Sequence, residues 1–158
     1  CLAALEELAI HARGRLTLVA ADALTLDEYD LSPRPSQVVA NLPYNISTSL
    51  LFKWLERLDL FQALTLMFQK EVAERITAEP GSKTYGILSV LTAAYYEREY
   101  LFTVEPEVFN PPPKVRSGVI RLKRKENYRL DCDENLFMNC KVYNDILETS
   151  TIFRQHTV

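Results

Sequence analysis

The chain is poor in the residues that build disulfide frameworks and metal centres. Its three cysteines are Cys1, Cys132 and Cys140, without C-x-x-C spacing, and its two histidines are His11 and His156. An odd number of cysteines at these positions predicts no disulfide framework, and the scattered histidines predict no zinc site. We therefore expect a protein of a reducing compartment, most simply the cytoplasm, with no bound metal.

Glycine and long apolar runs are also scarce. The four glycines form no G-x-G-x-x-G loop, so the chain lacks that nucleotide-binding motif. No signal peptide is recognisable, and no apolar run is long enough to cross a bilayer. With 47% hydrophobic residues, 25% charged residues and a net charge of −3, the composition predicts a soluble globular domain and argues against wholesale electrostatic capture of nucleic acid.

Patterns typical of strands and helices alternate along the chain. Strands are predicted at residues 16–19, 37–40, 63–68, 100–104 and 118–122. Helices are predicted at residues 2–11, 48–58, 70–77 and 85–96. Alternating strands and helices with short connections predict an α/β layered sheet.

The segment Asn41-Leu42-Pro43-Tyr44 directly follows the apolar run 37–40, which we interpret as a buried strand. A polar residue at the carboxyl end of a strand lies where open α/β sheets bind ligands, and Pro43 stiffens the turn. Tyr44 offers an aromatic face beside two acceptors, the Asn41 side chain and a main-chain carbonyl. That arrangement suits the N6 amine of adenine and favours a nucleic-acid adenine methyltransferase. The alternative is an ordinary Asn-Pro turn with a core tyrosine.

A second motif begins at Phe109, where three prolines hold an extended segment between two predicted strands. Enzymes that act on a base take it out of its stack, and an aromatic face offsets part of the cost. Phe109 is therefore a candidate to stack on a splayed-out base. The alternative is a phenylalanine that packs under a stiff loop.

Two further features have open interpretations. Asp22, at the end of the predicted strand 16–19, could accept from the exocyclic amine of a cofactor adenine while the Ala23 N–H donates to a ring nitrogen; a turn aspartate is the alternative. A basic cluster could be a solvated strand edge or a phosphate-facing patch. Its members are Lys114, Arg116, Arg121, Lys123, Arg124, Lys125 and Arg129.

Together these motifs closely resemble the ribosomal RNA adenine N6,N6-dimethyltransferases of the KsgA type, over roughly residues 2–122. The resemblance implies a Rossmann-like class I methyltransferase sheet and S-adenosylmethionine as the methyl donor. It also implies dimethylation of N6 on two adjacent adenosines of small-subunit rRNA, with the rRNA or a pre-30S-like particle as partner, by a monomer. The segments that carry the resemblance are 21–23, 41–47, 69–75, 85–90 and 109–122.

The resemblance also assigns residues. By it, Asp22, Ala23 and Asn41 would bind the cofactor, and Asn41 and Leu42 would accept from the target amine. Tyr44 and Phe109 would sandwich the target base. The residues predicted to be catalytic are Asn41, Leu42, Pro43 and Tyr44. Those predicted to bind the target base or the RNA are Phe109, Lys114, Arg116, Arg121 and Lys123.

The chain departs from this family at both ends. The family's early glycine-rich loop and its ribose-binding acidic residue are missing, so we expect amino-terminal truncation, a sheet without its first two strands, and an inactive or poorly folded piece. We expect residues 1–125 to be a partial methyltransferase domain. Residues 126–158 would begin a small helical rRNA-binding domain or form a divergent tail.

Two rival functions remain. A DNA or protein methyltransferase is disfavoured because such enzymes usually carry proline in place of Leu42. A non-catalytic ribosome-assembly factor, or a relative of the mitochondrial transcription factors of this family, stays open. A eukaryotic source would allow a mitochondrial or nucleolar location.

Overall fold

The structure, a computed structural model, describes residues 2–31 and 35–126. The expected carboxyl-terminal segment, apart from its first residue, lies outside the described residues. By internal packing the chain divides into two compact units, Cys1–Leu31 and Ser32–Val158.

The first unit contains one α-helix, α1 (Leu2–His11), as the sequence predicts, and a short 3-10 helix, η1 (Glu28–Asp30). The turn after α1 contains Gly14 at a φ of +79°, a left-handed conformation that favours glycine just past a helix end. The predicted strand at 16–19 is wrong, because these residues have no strand pairing among the described residues. An extended apolar run becomes a strand only when a neighbour takes its backbone hydrogen bonds.

The second unit contains a four-stranded sheet with the order β1-β2-β4-β3. β1 and β2 are parallel, whereas β4 is antiparallel to both β2 and β3. The strands are β1 (Ser36–Asn41), β2 (Phe61–Gln69), β3 (Tyr96–Val104) and β4 (Ser117–Arg124). The helices are α2 (Ser47–Leu55), α3 (Lys70–Thr77), α4 (Ile87–Tyr95) and the 3-10 helix η2 (Pro106–Val108).

The core lies around β2, which has β1 on one side and β4 on the other. Leu64, Leu66 and Phe68 of β2 are fully buried, as are Ile120 and Leu122 of β4. Full burial of one such side chain stabilises the fold by about 1.5–3 kcal/mol. The near-continuous apolar run that predicted this strand is typical of a strand covered on both faces.

The strand predicted at 37–40 is present as β1, but it is not buried as predicted. Its residues alternate between half-buried and exposed, and Val39 is 80% exposed. The physical reason is that successive side chains point to opposite faces of the sheet, and the face that carries Val39 is not covered by described residues. An apolar run alone does not reveal whether both faces of a strand are covered.

The boundaries of two helices also differ from prediction. α2 ends at Leu55, three residues before the predicted end, and α4 ends at Tyr95 where β3 begins. β3 begins earlier than predicted, and in this early part Glu97 and Glu99 lie opposite Lys123 and Arg121 of β4. Opposite charges directly across two strands stabilise a sheet, so this part of the chain pairs instead of extending the helix.

In the described part of the chain, no helix combines the length and apolar character that a membrane crossing requires.

Candidate active site

The first motif forms a tight corner between β1 and α2. Asn41 is the last residue of β1, is exposed, and lies opposite Met67 of β2. The Leu42 side chain is buried, and the Pro43 carbonyl accepts a hydrogen bond from the Ile46 N–H at 3.1 Å. The corner therefore has a fixed backbone with the Asn41 side chain on the surface, as a binding residue requires.

Tyr44 is held at both of its ends. Its carbonyl accepts from the Ser47 hydroxyl at 3.0 Å, and its own hydroxyl is hydrogen-bonded to the Ser117 hydroxyl at 2.8 Å. The ring itself is half-buried. Part of the ring therefore stays accessible while its two ends are fixed.

The second motif lies at the same end of the sheet. Ser117, the first residue of β4, pairs with Gln69 of β2, and Met67, two residues earlier, pairs with Asn41. The connection from β3 to β4, which contains Phe109, therefore leaves and re-enters the sheet at the carboxyl end of β1. The structure brings the two motifs together at one edge, where open α/β sheets bind ligands.

The connection that carries Phe109 is anchored to neighbouring structure. Phe109 follows η2, its N–H donates to the Pro106 carbonyl at 3.1 Å, and its ring is half-buried. Near the other end of the connection, the Arg116 carbonyl accepts from the Lys70 N–H of α3 at 2.9 Å. Both ends of the segment are thus attached to regular elements.

Asp22 and Ala23, the predicted cofactor residues, belong to the first unit. Asp22 is exposed, and its Oδ1 accepts from the Leu24 N–H at 2.9 Å. This is the turn geometry that the sequence left open as an alternative. The carboxylate still has capacity for another donor, because two oxygens offer about four acceptor sites. The cofactor role of both residues stays a prediction.

Among the predicted RNA-binding residues, Lys114 and Arg116 are exposed on the connection with Phe109. The Arg116 Nε donates to Glu105 Oε2 at 2.8 Å, which offsets part of its charge. Arg121 and Lys123 lie opposite acidic residues of β3. Lys123 is six residues beyond Ser117 on β4, about 20 Å away at the rise of an extended strand. The four cations therefore do not form one patch.

The remaining described members of the basic cluster have structural roles. Arg124 donates to the Leu58 carbonyl, and the Lys125 ammonium donates to the Ala93 carbonyl. With Lys123 they line an open cleft of about 840 Å³ that also contains three carboxylates. The residues that line it are Asp59, Gln62, Glu97, Lys123, Arg124, Lys125 and Glu126. Charges of both signs do not favour a phosphate-binding surface.

Within residues 2–31 and 35–126, no three His, Cys, Asp or Glu side chains form a group that could hold a metal ion.

Sequence reasoning assigned no role to Ser117, which is completely buried at the junction of the two motifs. A serine at the start of a strand of apolar and basic residues was the available signal. Its partner, Tyr44, is 73 residues away in the chain, so only the folded arrangement identifies the pair.

Solved structures of rRNA methyltransferases share this fold. A dimethyladenosine transferase from Plasmodium falciparum matches with a TM-score of 0.68 and 32% identity, over 77% of this chain and 43% of the other. The 23S rRNA methyltransferase ErmE matches with a TM-score of 0.64 and 30% identity, over 78% of this chain and 49% of the other. The predicted fold class, a Rossmann-like α/β methyltransferase sheet, is confirmed.

A sequence model of the family described as "Ribosomal RNA adenine dimethylase" matches residues 2–158. The chain therefore belongs to this family, and the resemblance read from the sequence is confirmed.

Curated relatives carry the name "Ribosomal RNA small subunit methyltransferase A". The relative from Bacteroides thetaiotaomicron is 60% identical over 104 residues, which are 66% of this chain and 39% of the relative. The relative from Parabacteroides distasonis is 52% identical over 125 residues, 79% of this chain and 46% of the relative. The chain thus spans less than half the length of these relatives.

Proposed function

We propose that the protein containing this chain transfers methyl groups from S-adenosylmethionine to N6 of two adjacent adenosines in small-subunit rRNA. The observation that carries the proposal is the Asn41–Tyr44 corner, which the 2.8 Å bond between Tyr44 and Ser117 joins to the segment with Phe109. The family and the names of the curated relatives support rRNA as the substrate. Residues 1–125 would form part of the methyltransferase domain, and 126–158 would begin an rRNA-binding extension or a divergent tail.

S-Adenosylmethionine, when bound, would supply an electrophilic methyl group on a sulfonium. Asp22, Ala23 and Asn41 are the residues that we propose hold it. The exposed Asp22 carboxylate fits the exocyclic amine of the cofactor adenine, because one of its oxygens is fixed by the Leu24 N–H and acceptor capacity remains. The chemistry of this residue therefore matches its proposed ligand.

The target N6 is a weak nucleophile because its lone pair is delocalised into the adenine ring. We propose that the Asn41 side-chain oxygen and the Leu42 carbonyl accept its two hydrogens, which favours a pyramidal and more reactive nitrogen. The buried Leu42 side chain and the fixed φ of Pro43 hold these acceptors in place. The site then works by positioning and by favouring the positive charge that develops on nitrogen. The proton leaves to water after transfer.

Tyr44 and Phe109 would hold the extruded base by stacking, which contributes about 1–3 kcal/mol for each base. Both rings are half-buried, so each keeps part of its surface accessible. We propose that Lys114 and Arg116, which are exposed on the same connection as Phe109, contact phosphates near that base. Arg121 and Lys123 would contact RNA only at another part of its surface.

The direct test uses the full-length protein that contains this sequence, methyl-labelled cofactor and small-subunit rRNA that lacks the modification. We expect N6,N6-dimethyladenosine at two neighbouring positions after digestion and mass spectrometry. RNA that is already dimethylated is the control and should take up no label. A folded protein that binds this RNA without transferring methyl groups would instead support the non-catalytic alternative.

A further inference from the structure

The only hydrogen bond between the side chains of the two motifs that we find among the described residues joins Tyr44 and Ser117. The two hydroxyls are 2.8 Å apart, and the Ser117 side chain is completely buried. A buried hydroxyl that loses its partner is costly, so this contact is maintained in the folded protein.

Ser117 itself has little freedom to move. It pairs with Gln69 of β2 and with Val104 of β3, and it is therefore held between two strands. The neighbouring Gly118 packs so closely against α3 that an added Cβ would come within 2.7 Å of the Ala73 Cβ. The Ser117 hydroxyl is thus a fixed point relative to the sheet.

Tyr44, in contrast, lies on a connection outside the sheet. Its carbonyl is bound by Ser47, but that bond leaves the two side-chain torsions of the tyrosine free. The hydrogen bond between its hydroxyl and that of Ser117 fixes the far end of the ring. A ring held at its tip and at its backbone keeps one axis, and because the phenol O–H lies in the plane of its ring, the hydrogen bond to Ser117 also favours one plane.

We infer that Ser117 is a positioning residue, whose hydroxyl sets the plane of the Tyr44 ring on which the target base stacks. The inference rests on the proposed function, because it assigns Ser117 a part in that same site. A base held at the wrong angle presents its N6 away from the methyl donor, and a displacement of about 1 Å can cost roughly 100-fold in rate. The loss should therefore fall on turnover rather than on cofactor binding.

The test is a double-mutant cycle in the full-length protein with Ser117→Ala, Tyr44→Phe and the double variant. Each single change removes one hydroxyl of the pair, and we expect each to lower kcat by roughly 10-fold or more with the cofactor Kd unchanged. We expect the double variant to be no slower than the slower single variant, because both changes break the same bond.

Ser89→Ala is the matched control. Ser89 is also completely buried, and its hydroxyl donates to the Arg75 carbonyl of α3, so this bond involves neither of the two motifs. Its loss should lower the melting temperature without lowering kcat. A 2-aminopurine at the target position adds a spectroscopic readout: its stacking-dependent fluorescence should differ from wild type in the Ser117→Ala complex and match wild type in the Ser89→Ala complex.

The outcomes separate this inference from the proposed function. Wild-type turnover in Ser117→Ala or in Tyr44→Phe, or losses that multiply in the double variant, would overturn the positioning role alone. Tyr44→Phe decides the question even if Ser117→Ala does not fold, because it removes a single oxygen from a half-buried ring. A wild-type protein that transfers no methyl group would overturn the proposed function and this inference together.

Discussion

A Cβ atom added to Gly118 would lie 2.7 Å from the Cβ of Ala73, closer than real Cβ atoms approach. Ala73 lies on α3 and is fully buried, so it has no side-chain freedom with which to move away. The contact brings α3 against β4 directly beside the candidate site.

Gly118→Ala should therefore destabilise the fold by about 1–3 kcal/mol, the usual cost of overpacking a core. Urea unfolding of this chain can be followed by the fluorescence of its single tryptophan, Trp54, which packs edge-on against Phe61 at 6.1 Å between ring centroids. Gly86→Ala is the control, since nothing lies within 4 Å of a Cβ built there. Equal unfolding midpoints for the two variants would contradict the close packing of β4 against α3.

Arg98→Ala should cost about 2–4 kcal/mol of unfolding free energy. The Arg98 side chain is 7% exposed and its Nη1 donates to the carbonyls of Ile76, Ala78 and Ser89 at 2.9–3.3 Å. Removing the guanidinium takes this charged donor from the Ala78 carbonyl, just past the end of α3. The carbonyls of Ile76 and Ser89 keep the Thr92 hydroxyl as a donor.

The control for Arg98 is Arg75→Ala, measured by the same urea titration. Arg75 is paired with Glu71 one turn away on α3, but both side chains are more than half exposed. An exposed ion pair of this kind contributes at most about 1 kcal/mol. A loss in Arg98→Ala no larger than that in Arg75→Ala would contradict the capping role.

Phe109→Ala in the full-length protein should weaken RNA binding by about 1–3 kcal/mol, because one stacking face is lost. The cofactor Kd should not change. Val108→Ala is the matched control, because Val108 is adjacent and 69% exposed; filter binding of the RNA should give a wild-type value. Equal weakening by both variants would indicate a general effect of the loop rather than stacking by Phe109.

The sequence predicted the parts of the fold whose signal is local. β2 and α3 were predicted within two residues at each end, because an apolar run and the break at Pro80 mark them without reference to the rest of the chain. The strand at 16–19 and the burial of β1 could not be predicted, because both depend on which neighbours are present. The early start of β3 depends on acidic residues meeting Lys123 and Arg121 across the sheet.

The candidate site divides in the same way. The corner at Asn41 and the segment at Phe109 were visible as motifs, but nothing in either showed that they meet at one edge of the sheet. The bond between Tyr44 and Ser117 spans 73 residues, and the pairing of β4 with β2 creates it. The basic cluster is divided because Lys123 lies six residues along β4 from Ser117, and because Arg121 and Lys123 lie opposite acidic residues of β3.

The most direct measurement is the methyl-transfer rate of Asn41→Ala in the full-length protein, compared with its affinity for unmodified small-subunit rRNA. We predict that kcat falls by about 100-fold or more, as expected when one positioned electrostatic contact is removed, while the RNA Kd stays at the wild-type value. Asn45→Ala, an exposed asparagine in the same corner, should keep both values. Equal losses of rate and RNA affinity in Asn41→Ala, or a wild-type rate, would contradict the assignment of Asn41 to the reacting amine.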